Sequence, residues 1–423
     1  MPKKWRMIAD QKRGVINMKG QSKALKRVRR GNLCSGCGGC ALIAPGKIAM
    51  TYETPGYLRP TQKSALTAAE NERIARICPG LRQEVLVSDK QHDDVLWGPF
   101  ISMHTGHAVN PRLRHSASSG GVLSAILTHL LETDQVDGVI QNFAAQDLPI
   151  GNVTRLSRTA ASVLQAAGSR YAPSAPLEEL HRHINSKQRF AFVGKPCDVA
   201  ALRALAKEDE RINARIPVML SFFCAGVPSL SGGEAVLEKM GTSLDKISAF
   251  RFRGNGWPGK ATATLIDGST LEMSYHDSWG KVLSRHVQHR CKICADGTGA
   301  AADLVCADAW ECDEQGYPLF EEQEGTSLIV ARTPLGATLL AKAKDAKKIS
   351  LESFDSSRLT RMQPGQFGRR RVLFARLSGL RILGKPVPKY IGLHIMSAAR
   401  LGTVRGNLKN FLGMVRRVWQ KQV

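Results

Sequence analysis

The sequence predicts an α/β protein with three folded parts that follow a basic arm at residues 1–30. Over residues 31–95, a cysteine-rich loop precedes a predicted hairpin and a predicted helix. Over residues 96–335, strand-like and helix-like segments alternate, which is typical of a sheet flanked by helices. Residues 336–423 have a basic, mainly helical composition. We therefore expect an amino-terminal module, a central α/β core with a mixed sheet and a carboxyl-terminal helical extension.

Four cysteines of the amino-terminal module are spaced as Cys34-x-x-Cys37-x-x-Cys40, with Cys78-Pro79 further along the chain. A [4Fe–4S] cluster needs four converging thiolates, and two-residue gaps let one tight loop direct three of them inward. The intervening glycines allow φ > 0 and leave backbone N–H groups free to point at sulfur. Zinc is the alternative metal, although it ordinarily uses two Cys-x-x-Cys pairs. We call these four cysteines the first cysteine set.

The segments beside this loop predict a ferredoxin-like module. Residues 46–60 contain two short strand-like runs joined at Pro55-Gly56, which is a turn sequence. The stretch from Ala65 to Ile77 has a helical composition and places Cys78 at its end. A hairpin and a helix beside a cysteine loop resemble half of a bacterial ferredoxin, except that the fourth cysteine here follows the third by 38 residues.

The central region alternates predicted strands with predicted helices. The predicted strands are Gly138–Phe143, Arg189–Val193 and Ile216–Phe223. The predicted helices are Val122–Leu131, Asp198–Leu205 and one that begins at about Ser231. Residues 262–275 predict a further hairpin that turns at Asp267-Gly268.

A second cysteine set follows two of these strands. Cys197 comes directly after one buried strand, Cys224 comes after the next, and Cys291-x-x-Cys294 is a chelating pair. Because the carboxyl ends of neighbouring parallel strands meet at one crevice, these four thiols are candidates for a second [4Fe–4S] cluster. The alternative is that Cys197 and Cys224 are unreactive core residues.

Eight residues are candidates for binding a flavin. Ser118, Ser119, Gly120 and Gly121 open a predicted helix, where hydroxyls, free N–H groups and the helix dipole favour a pyrophosphate. An ordinary helix cap is the alternative interpretation. The other candidates are Ser169, Arg170, Tyr171 and Lys195. Arg170 would contact a phosphate, Tyr171 would pack against an aromatic ring, and Lys195 would place a cation beside the flavin or a cluster.

In this order, the motifs resemble the coenzyme F420 hydrogenase/dehydrogenase beta-subunit family, which also includes ferredoxin-dependent divinyl chlorophyllide reductases and 7-hydroxymethyl chlorophyll a reductase. The similar segments span about residues 30–335 and are the two cysteine sets, Ala117–Gly121, Gly168–Tyr171, Gly194–Asp198, Ala200–Arg203, Phe223-Cys224, Ala302-Asp303 and Ala307-Asp308. The resemblance implies an FAD-containing iron–sulfur oxidoreductase and supports the second cluster. Cys306, Cys312 and the basic tail have no recognised counterpart in that family.

The formal net charge of +24 is concentrated at the two ends of the chain. Residues 1–30 hold 11 Lys and Arg and one Asp, whereas residues 358–423 hold 15 Lys and Arg and no acidic residue. Three interpretations fit these ends: a solvated tail, docking of an acidic electron carrier such as ferredoxin, and contact with anionic lipid. Nucleic acid is disfavoured because no binding motif accompanies the charge.

The last helical segment is amphipathic. One helical face carries Leu408, Phe411, Leu412, Val415, Val418 and Trp419. Such a face predicts packing on the protein's own core or, alternatively, contact with a membrane surface. Neither a secretory signal nor a run of eighteen apolar residues is found, so we expect a cytoplasmic protein that is either free or peripheral at the inner membrane face.

The sequence thus predicts an oxidoreductase in which electrons pass from a reduced carrier, ferredoxin or a deazaflavin such as coenzyme F420, through [4Fe–4S] clusters to FAD and on to a substrate. One alternative is a non-enzymatic electron-transfer subunit of a larger redox complex. Another is a zinc-bearing binding module. A homo-oligomer and a redox-complex subunit are both compatible with the sequence.

Overall fold

The computed structural model describes residues 20–311, 313, 319 and 321–420. Its β-strands are β1 (Ile48–Glu53), β2 (Tyr57–Gln62), β3 (Arg82–Glu84), β4 (His92–Asp94), β5 (Gly98–Phe100), β6 (Ser102–Ala108), β7 (Gly138–Ala144), β8 (Asn152–Ser157), β9 (Phe190–Val193), β10 (Val218–Phe222), β11 (Ile247–Arg251), β12 (Ala261–Leu265), β13 (Thr270–Met273), β14 (Leu304–Asp308), β15 (Ser327–Ala331), β16 (Ile349–Ser353) and β17 (Lys389–Ile391).

The α-helices of the described residues are α1 (Lys23–Arg30), α2 (Gly39–Ile43), α3 (Ala68–Ile77), α4 (Pro111–Ser116), α5 (Val122–Glu132), α6 (Ala160–Gln165), α7 (Pro196–Ala206), α8 (Glu210–Arg215), α9 (Leu230–Lys239), α10 (His289–Lys292), α11 (Pro334–Asp345), α12 (Leu359–Met362), α13 (Pro364–Ile382), α14 (Ile395–Arg400) and α15 (Val404–Trp419). Short 3₁₀ or π turns connect several of them.

An eight-stranded sheet has the order β16-β6-β15-β14-β10-β9-β7-β8. Its four inner strands, β14, β10, β9 and β7, are mutually parallel, and the strands on either side pair in an antiparallel manner. The inner strands are short apolar runs, and every residue of β9 is buried, as expected where helices cover both faces. The predicted α/β fold with a mixed sheet is therefore confirmed.

The amino-terminal hairpin forms at the predicted turn. Strands β1 and β2 pair from Ile48 with Gln62 to Glu53 with Tyr57, so Pro55-Gly56 lies in the turn. Helix α3 begins after Thr67, whose hydroxyl accepts from the N–H of Glu70 while the Glu70 carboxylate accepts from the N–H of Thr67. The helix ends at Ile77, which places Cys78 at its carboxyl end as predicted.

A three-stranded sheet of β11, β12 and β13 contains the second predicted hairpin. Asp267 stabilises its turn, because the carboxylate accepts hydrogen bonds from the N–H and the hydroxyl of Ser269. Strand β11 was not expected from the sequence. It joins the hairpin as an edge strand through an irregular register between Ile247 and Ala249.

Residues 358–420 are folded against the rest of the protein, so the solvated-tail interpretation is wrong for this segment. Leu373, Leu377 and Leu380 of α13 and Met414 of α15 are buried in a core that also contains residues of α1, the first cysteine loop and α3. Strand β17 pairs in parallel with β3. The count of charges did not reveal this packing, because it carries no information on which side of each helix meets the core. The arm at residues 1–19 lies outside the described residues.

Two buried arginines hold irregular segments of the core together, and one of them, Arg370, also connects the carboxyl-terminal extension to that core. Arg370 of α13 donates to the carbonyls of Ala295, Val95 and Leu393, with distances of 2.6–2.8 Å. Arg332, which follows β15, donates to the carbonyls of Trp97, Pro99 and Thr298 at 2.7–2.8 Å. Each guanidinium thereby satisfies several buried carbonyls of irregular segments that would otherwise lose their hydrogen bonds.

No helix within the described ranges is both long enough and apolar enough to cross a membrane.

We predict that Met414→Ala loosens α15. Met414 is fully buried where α15 crosses α13 at Gly379, so truncation should cost about 2–4 kcal/mol through lost burial and the cavity left behind. Hydrogen exchange of the α15 amides, followed by mass spectrometry, measures this loss. The matched control is Leu412→Ala in the same helix, because Leu412 is 54% exposed. Equal exchange in the two variants would contradict the packing described here.

Candidate functional site

The first cysteine set is gathered in a buried loop. The charges of Cys37, Cys34 and Cys78 each act on the Cys40 thiol. Burial is the main cause that raises the pKa of Cys40 well above the ordinary thiol value, and the neighbouring thiolates add to it. The same two causes raise the pKa of Cys78 only to about 11, because backbone N–H groups and Arg290 act in the opposite direction.

Backbone N–H groups point at the sulfur atoms of this set. The N–H of Gly36 donates to Cys34 Sγ at 3.4 Å, and the N–H groups of residues 39, 41 and 80 lower the pKa of Cys37, Cys40 and Cys78, respectively. Gly38 makes the loop possible, because its φ is +84° and a Cβ there would lie 2.7 Å from the Glu178 backbone nitrogen. The loop is therefore a nest of donors around four thiols, which fits an anionic [4Fe–4S] cluster.

The second cysteine set also comes together. Cys197 lies in the first turn of α7 and Cys224 follows β10, and the strands that precede them, β9 and β10, are parallel neighbours. Cys291 and Cys294 approach from α10 and the segment after it. Burial raises the pKa of Cys224 to about 12, and the charges of Cys291 and Cys294 add to this effect. Burial is also the main cause that raises the pKa of Cys197, and the charges of Cys224 and Cys291 contribute to it.

This set has its own donors. The N–H of Val227 donates to Cys291 Sγ at 3.4 Å, and the side-chain amide of Gln288 donates to the same sulfur at 3.5 Å. The N–H of Gly226 lowers the pKa of Cys224. Four thiols that come together, two of which have N–H donors directed at them, fit a second anionic cluster.

Among residues 20–311, 313, 319 and 321–420, no three or more His, Cys, Asp or Glu side chains are grouped closely enough to hold a single metal ion.

Arg290 lies between the two cysteine sets. It precedes Cys291 in the chain, and its Nη2 donates to the carbonyl of Pro79, the residue after Cys78, at 2.8 Å. Its side chain is buried, and its charge acts on Cys78, Cys291 and Cys294. Burial alone would lower the pKa of Arg290, but Tyr390 and the thiolates raise it above the ordinary value, so the guanidinium stays charged. Sequence analysis missed this residue, because its neighbour Pro79 is far away in the chain.

A cavity of about 300 Å³ opens beside the second cysteine set. It lies at the carboxyl ends of the inner strands, and Cys224 is part of its wall. Seven of the eight predicted flavin-binding residues line it, namely Ser118, Ser119, Gly121, Ser169, Arg170, Tyr171 and Lys195. The aromatic rings on its wall belong to Tyr171, Phe222, Phe223, Tyr275, Trp279 and Trp310. Aromatic walls with a few polar groups fit a flavin ring.

Gly120 supports the cavity without lining it. A Cβ at this position would lie 2.6 Å from the carbonyl oxygen of Gly106 and from the backbone nitrogen of Ser327, so only glycine fits between β6 and β15. Ser119 also turns toward these strands, and its hydroxyl lies 3.1–3.2 Å from the carbonyls of Ala307 and Thr326. Ser118 faces Ser169, whose hydroxyl donates to the Ser118 oxygen at 2.6 Å.

The structure shows a supporting role for Arg170, and the phosphate contact that the sequence suggested stays a prediction. All three of its guanidinium nitrogens donate to protein acceptors: the side chain of Asn152 and the carbonyls of Phe250, Pro149 and Gly151. Burial, together with the charge of Arg251, lowers the pKa of Arg170 to about 10. We therefore assign Arg170 to the support of the cavity wall. Tyr171, the next residue, packs its ring 4.7 Å from that of Trp279.

A buried ion pair lies where the cavity meets both cysteine sets. Lys195 Nζ is 2.7 Å from Asp198 Oδ2 and donates to the Ser174 hydroxyl at 2.8 Å. The charge of Asp198 raises the pKa of Cys37 in the first set, whereas the charges of Cys197 and Cys224 in the second set raise the pKa of Lys195. Burial is the largest single influence and opposes the charge on Lys195, but the charges of Asp198, Cys197 and Cys224 and the hydrogen bond to Asp198 together outweigh it and raise the pKa of the lysine. Lys195 is thus a fixed buried cation and not an exposed one.

Arg253 is a wall residue that sequence analysis missed. Its guanidinium forms two hydrogen bonds, of 2.8 and 2.9 Å, with the carboxylate of Asp308, and it lies over the rings of Tyr275 and Trp310. Asp308 belongs to a recognised motif, but its partner comes from the glycine-rich loop after β11, which no local pattern connects to β14. Cys306 is buried in β14 and lines the cavity, and Cys312 lies outside the described residues.

Sequence profiles of the coenzyme F420 hydrogenase/dehydrogenase beta subunit match the chain in two adjoining parts. The profile of the N-terminal part of that subunit matches residues 103–181, and the profile of its C terminus matches residues 187–357. Together these matches cover more than half of the chain and confirm the resemblance noted from the motifs. The first cysteine set precedes the matched residues, and helices α12–α15 follow them.

Three similar proteins illustrate the relationship. An uncharacterized protein of Methanocaldococcus jannaschii is 23% identical over 328 residues, which are 71% of this chain and 86% of that protein. The coenzyme F420-dependent sulfite reductase of the same organism is 21% identical over 80% of this chain, and the match spans half of its own length. The coenzyme F420 hydrogenase subunit beta of Methanococcus voltae is 24% identical over 61% of this chain and 86% of that subunit.

Proposed function

The chain belongs to the coenzyme F420 hydrogenase/dehydrogenase beta-subunit family, and from that premise we propose that it is an iron–sulfur flavoprotein that transfers electrons between a protein carrier and a two-electron partner. The observation that carries the proposal is the shared wall: the flavin candidates and Cys224 of the second cysteine set line one cavity. Relatives that are named for coenzyme F420 support a deazaflavin as the two-electron partner.

The residues fit two [4Fe–4S] clusters and FAD. Each cysteine set offers four thiols, with backbone donors to all four of the first set and to Cys224 and Cys291 of the second, and the cavity offers aromatic walls beside one of the sets. Bound clusters would supply one-electron transfer, and bound FAD would connect it to two-electron chemistry. In this scheme, the Cys34, Cys37, Cys40 and Cys78 thiolates hold one cluster, and the Cys197, Cys224, Cys291 and Cys294 thiolates hold the other.

The chain's own cations prepare the site for negative charge. Lys195 and Arg253 are buried at the cavity wall, and Arg290 is buried between the cysteine sets. A fixed positive charge in a poorly solvated region stabilises added electrons more strongly than it would in water. The pairing of Lys195 with Asp198 and of Arg253 with Asp308 holds the two wall cations in place.

A basic patch near the second cysteine set fits an acidic carrier. Lys292, Arg369, Arg376 and Arg417 form this patch, and within the described part of the chain none of them pairs with Asp or Glu. Arg369 donates to the carbonyl of Cys224 at 3.0 Å, and Arg376 donates to the carbonyl of Lys292 at 2.9 Å. Burial is the main cause that lowers the pKa of Lys292, and the positive charges of Arg417 and Arg376 lower it further. Such an uncompensated group of cations attracts an acidic protein.

A non-enzymatic electron-transfer subunit is the second candidate function. It is favoured by relatives that are named as beta subunits of F420-dependent enzymes. In that case the protein reduces or oxidises small substrates only after its partner subunit is added, whereas an independent oxidoreductase turns over alone.

Anaerobic purification tests the proposal. We expect iron and acid-labile sulfide for two four-iron clusters and one bound FAD per chain. Cys34→Ser and Cys291→Ser should each remove the electron paramagnetic resonance signal of one cluster and about half of the iron. The control is Cys306→Ser, because Cys306 is buried in β14 and belongs to neither set. Zinc in place of iron, or a chain without flavin, would refute the scheme.

We predict that Arg290→Gln lowers the midpoint potential of both clusters. Removal of a buried cation destabilises the reduced, more negative form, by on the order of 100 mV for a unit charge about 8 Å away at an effective dielectric constant of about 20. A redox titration followed by electron paramagnetic resonance measures the shift. Arg290→Lys keeps the charge and is the matched control, and its potentials should stay closer to those of the wild type. Unchanged potentials in the Gln variant with full iron content would contradict the role of Arg290.

We also predict that Lys292→Glu/Arg417→Glu slows reduction by ferredoxin. Loss of attraction should reduce the second-order rate about tenfold or more at low ionic strength, and the difference should shrink at about 0.5 M salt. Stopped-flow absorbance measures both rates. Lys239→Glu/Lys246→Glu changes the net charge equally at exposed positions of another part of the surface. If ferredoxin reduces both double variants equally slowly, the net charge of the protein, and not this patch, attracts the carrier.

A further inference from the structure

The outer side of α15 exposes large apolar residues. Val404, Leu408, Leu412 and Trp419 are 87%, 55%, 54% and 74% exposed, respectively. They are separated by four, four and seven residues, so they lie along one side of the helix. We call these four residues the apolar stripe. Single exposed apolar residues are ordinary on protein surfaces, but an aligned row of four on one helix needs an explanation.

The stripe cannot turn inward, because the opposite side of α15 is anchored. Met414 is fully buried against α13, and the side-chain oxygen of Asn410 accepts a hydrogen bond from Arg376 Nε of α13 at 3.0 Å. The side-chain amide of Asn407 donates to the carbonyl of Ala399 in α14. The packed side of the helix thus includes two asparagines and a methionine, and three of the six residues of the apolar face that the sequence predicted, Leu408, Leu412 and Trp419, are exposed to solvent.

Three cations border the stripe. Arg405 and Lys409 each follow a stripe residue, and Arg416 comes one turn after Leu412, so all three lie along the same edge. They are exposed, and none of them pairs with Asp or Glu in the described residues. Residues 358–423 contain no acidic residue at all.

We propose that α15 binds the surface of an anionic lipid bilayer. An apolar row flanked by Lys and Arg is the pattern of an interfacial helix, in which the apolar side enters the boundary between headgroups and acyl chains and the cations meet lipid phosphates. Trp419, at one end of the stripe, is the side chain that favours this boundary. A second copy of the chain is a poor occupant, because it would bring two unpaired basic faces together.

This surface is independent of the redox site. It lies beyond residue 357, where the family match ends, and its residues touch neither cysteine set nor the cavity. Its role therefore goes beyond the proposed function and is tested without any measurement of electron transfer. An acidic protein that covers the stripe is the competing occupant, and binding to vesicles of defined composition distinguishes the two.

The test is flotation of the holoprotein, purified without oxygen, with lipid vesicles. Wild-type protein should float with vesicles of equal parts phosphatidylcholine and phosphatidylglycerol and should remain unbound with phosphatidylcholine alone. Leu408→Asp/Leu412→Asp should weaken binding at least about tenfold, because two apolar side chains no longer enter the lipid boundary. The matched control is Ile266→Asp, since Ile266 is 72% exposed at the turn between β12 and β13.

Charge reversal separates the lipid from other occupants. Lys409→Glu/Arg416→Glu should also weaken binding to the anionic vesicles at least about tenfold, and added salt should weaken binding of the wild type. Failure of the wild type to float, or equal flotation of the wild type and the stripe variant, would overturn the proposal. Iron and flavin content, measured on the same samples, reports separately on the proposed function and on folding.

Discussion

The hydrogen bond from Arg290 to the carbonyl of Pro79 joins the two cysteine loops across more than two hundred residues of sequence. A charged guanidinium is stable in the interior only where anions and acceptors surround it. Here the acceptors are the carbonyl of Pro79 and the side chain of Gln83, the ring of Tyr390 lies beside the guanidinium, and the cysteines would supply the anions once they are ligated. The cation and the cysteines therefore depend on each other for their stability. Ligated thiolates carry permanent negative charge, so loading of the site would strengthen this arrangement.

The same logic orders the site from the interior outward. The first cysteine set, the second set and the cavity follow one another, and a buried cation lies at each junction: Arg290 between the sets, and Lys195 where both sets meet the cavity. Electrons move over short distances most readily, and each move adds negative charge to a region with little water. Cations at the junctions reduce that cost at every position along the way. The basic patch beside the second set extends the same electrostatic gradient to the surface.

The parts of this arrangement that the sequence revealed are those with a local signal. Apolar runs predicted β9 and β10, and the rule that parallel strands share an edge was enough to bring Cys197 and Cys224 together. Arg253 and Arg290 were missed, because each depends on a partner far away in the chain. Arg170 shows a further limit of local patterns: a cation in a glycine-rich segment suggested a phosphate contact, and the sequence did not reveal the four hydrogen bonds that its guanidinium makes to acceptors of the protein itself.

Helix α15 shows where the local pattern and the tertiary fold disagree. The strongest apolar arc of an isolated amphipathic helix ordinarily faces the core. Here Asn407, Asn410 and Met414 contact neighbouring helices and Val418 packs partly against the core, while Leu408, Leu412 and Trp419 remain exposed. Such a conflict costs stability in water, and sequences retain it mainly where the surface has a use. Because α13 and α15 also close the core around the cysteine loops, whatever covers this arc binds to the element that protects the redox site from solvent.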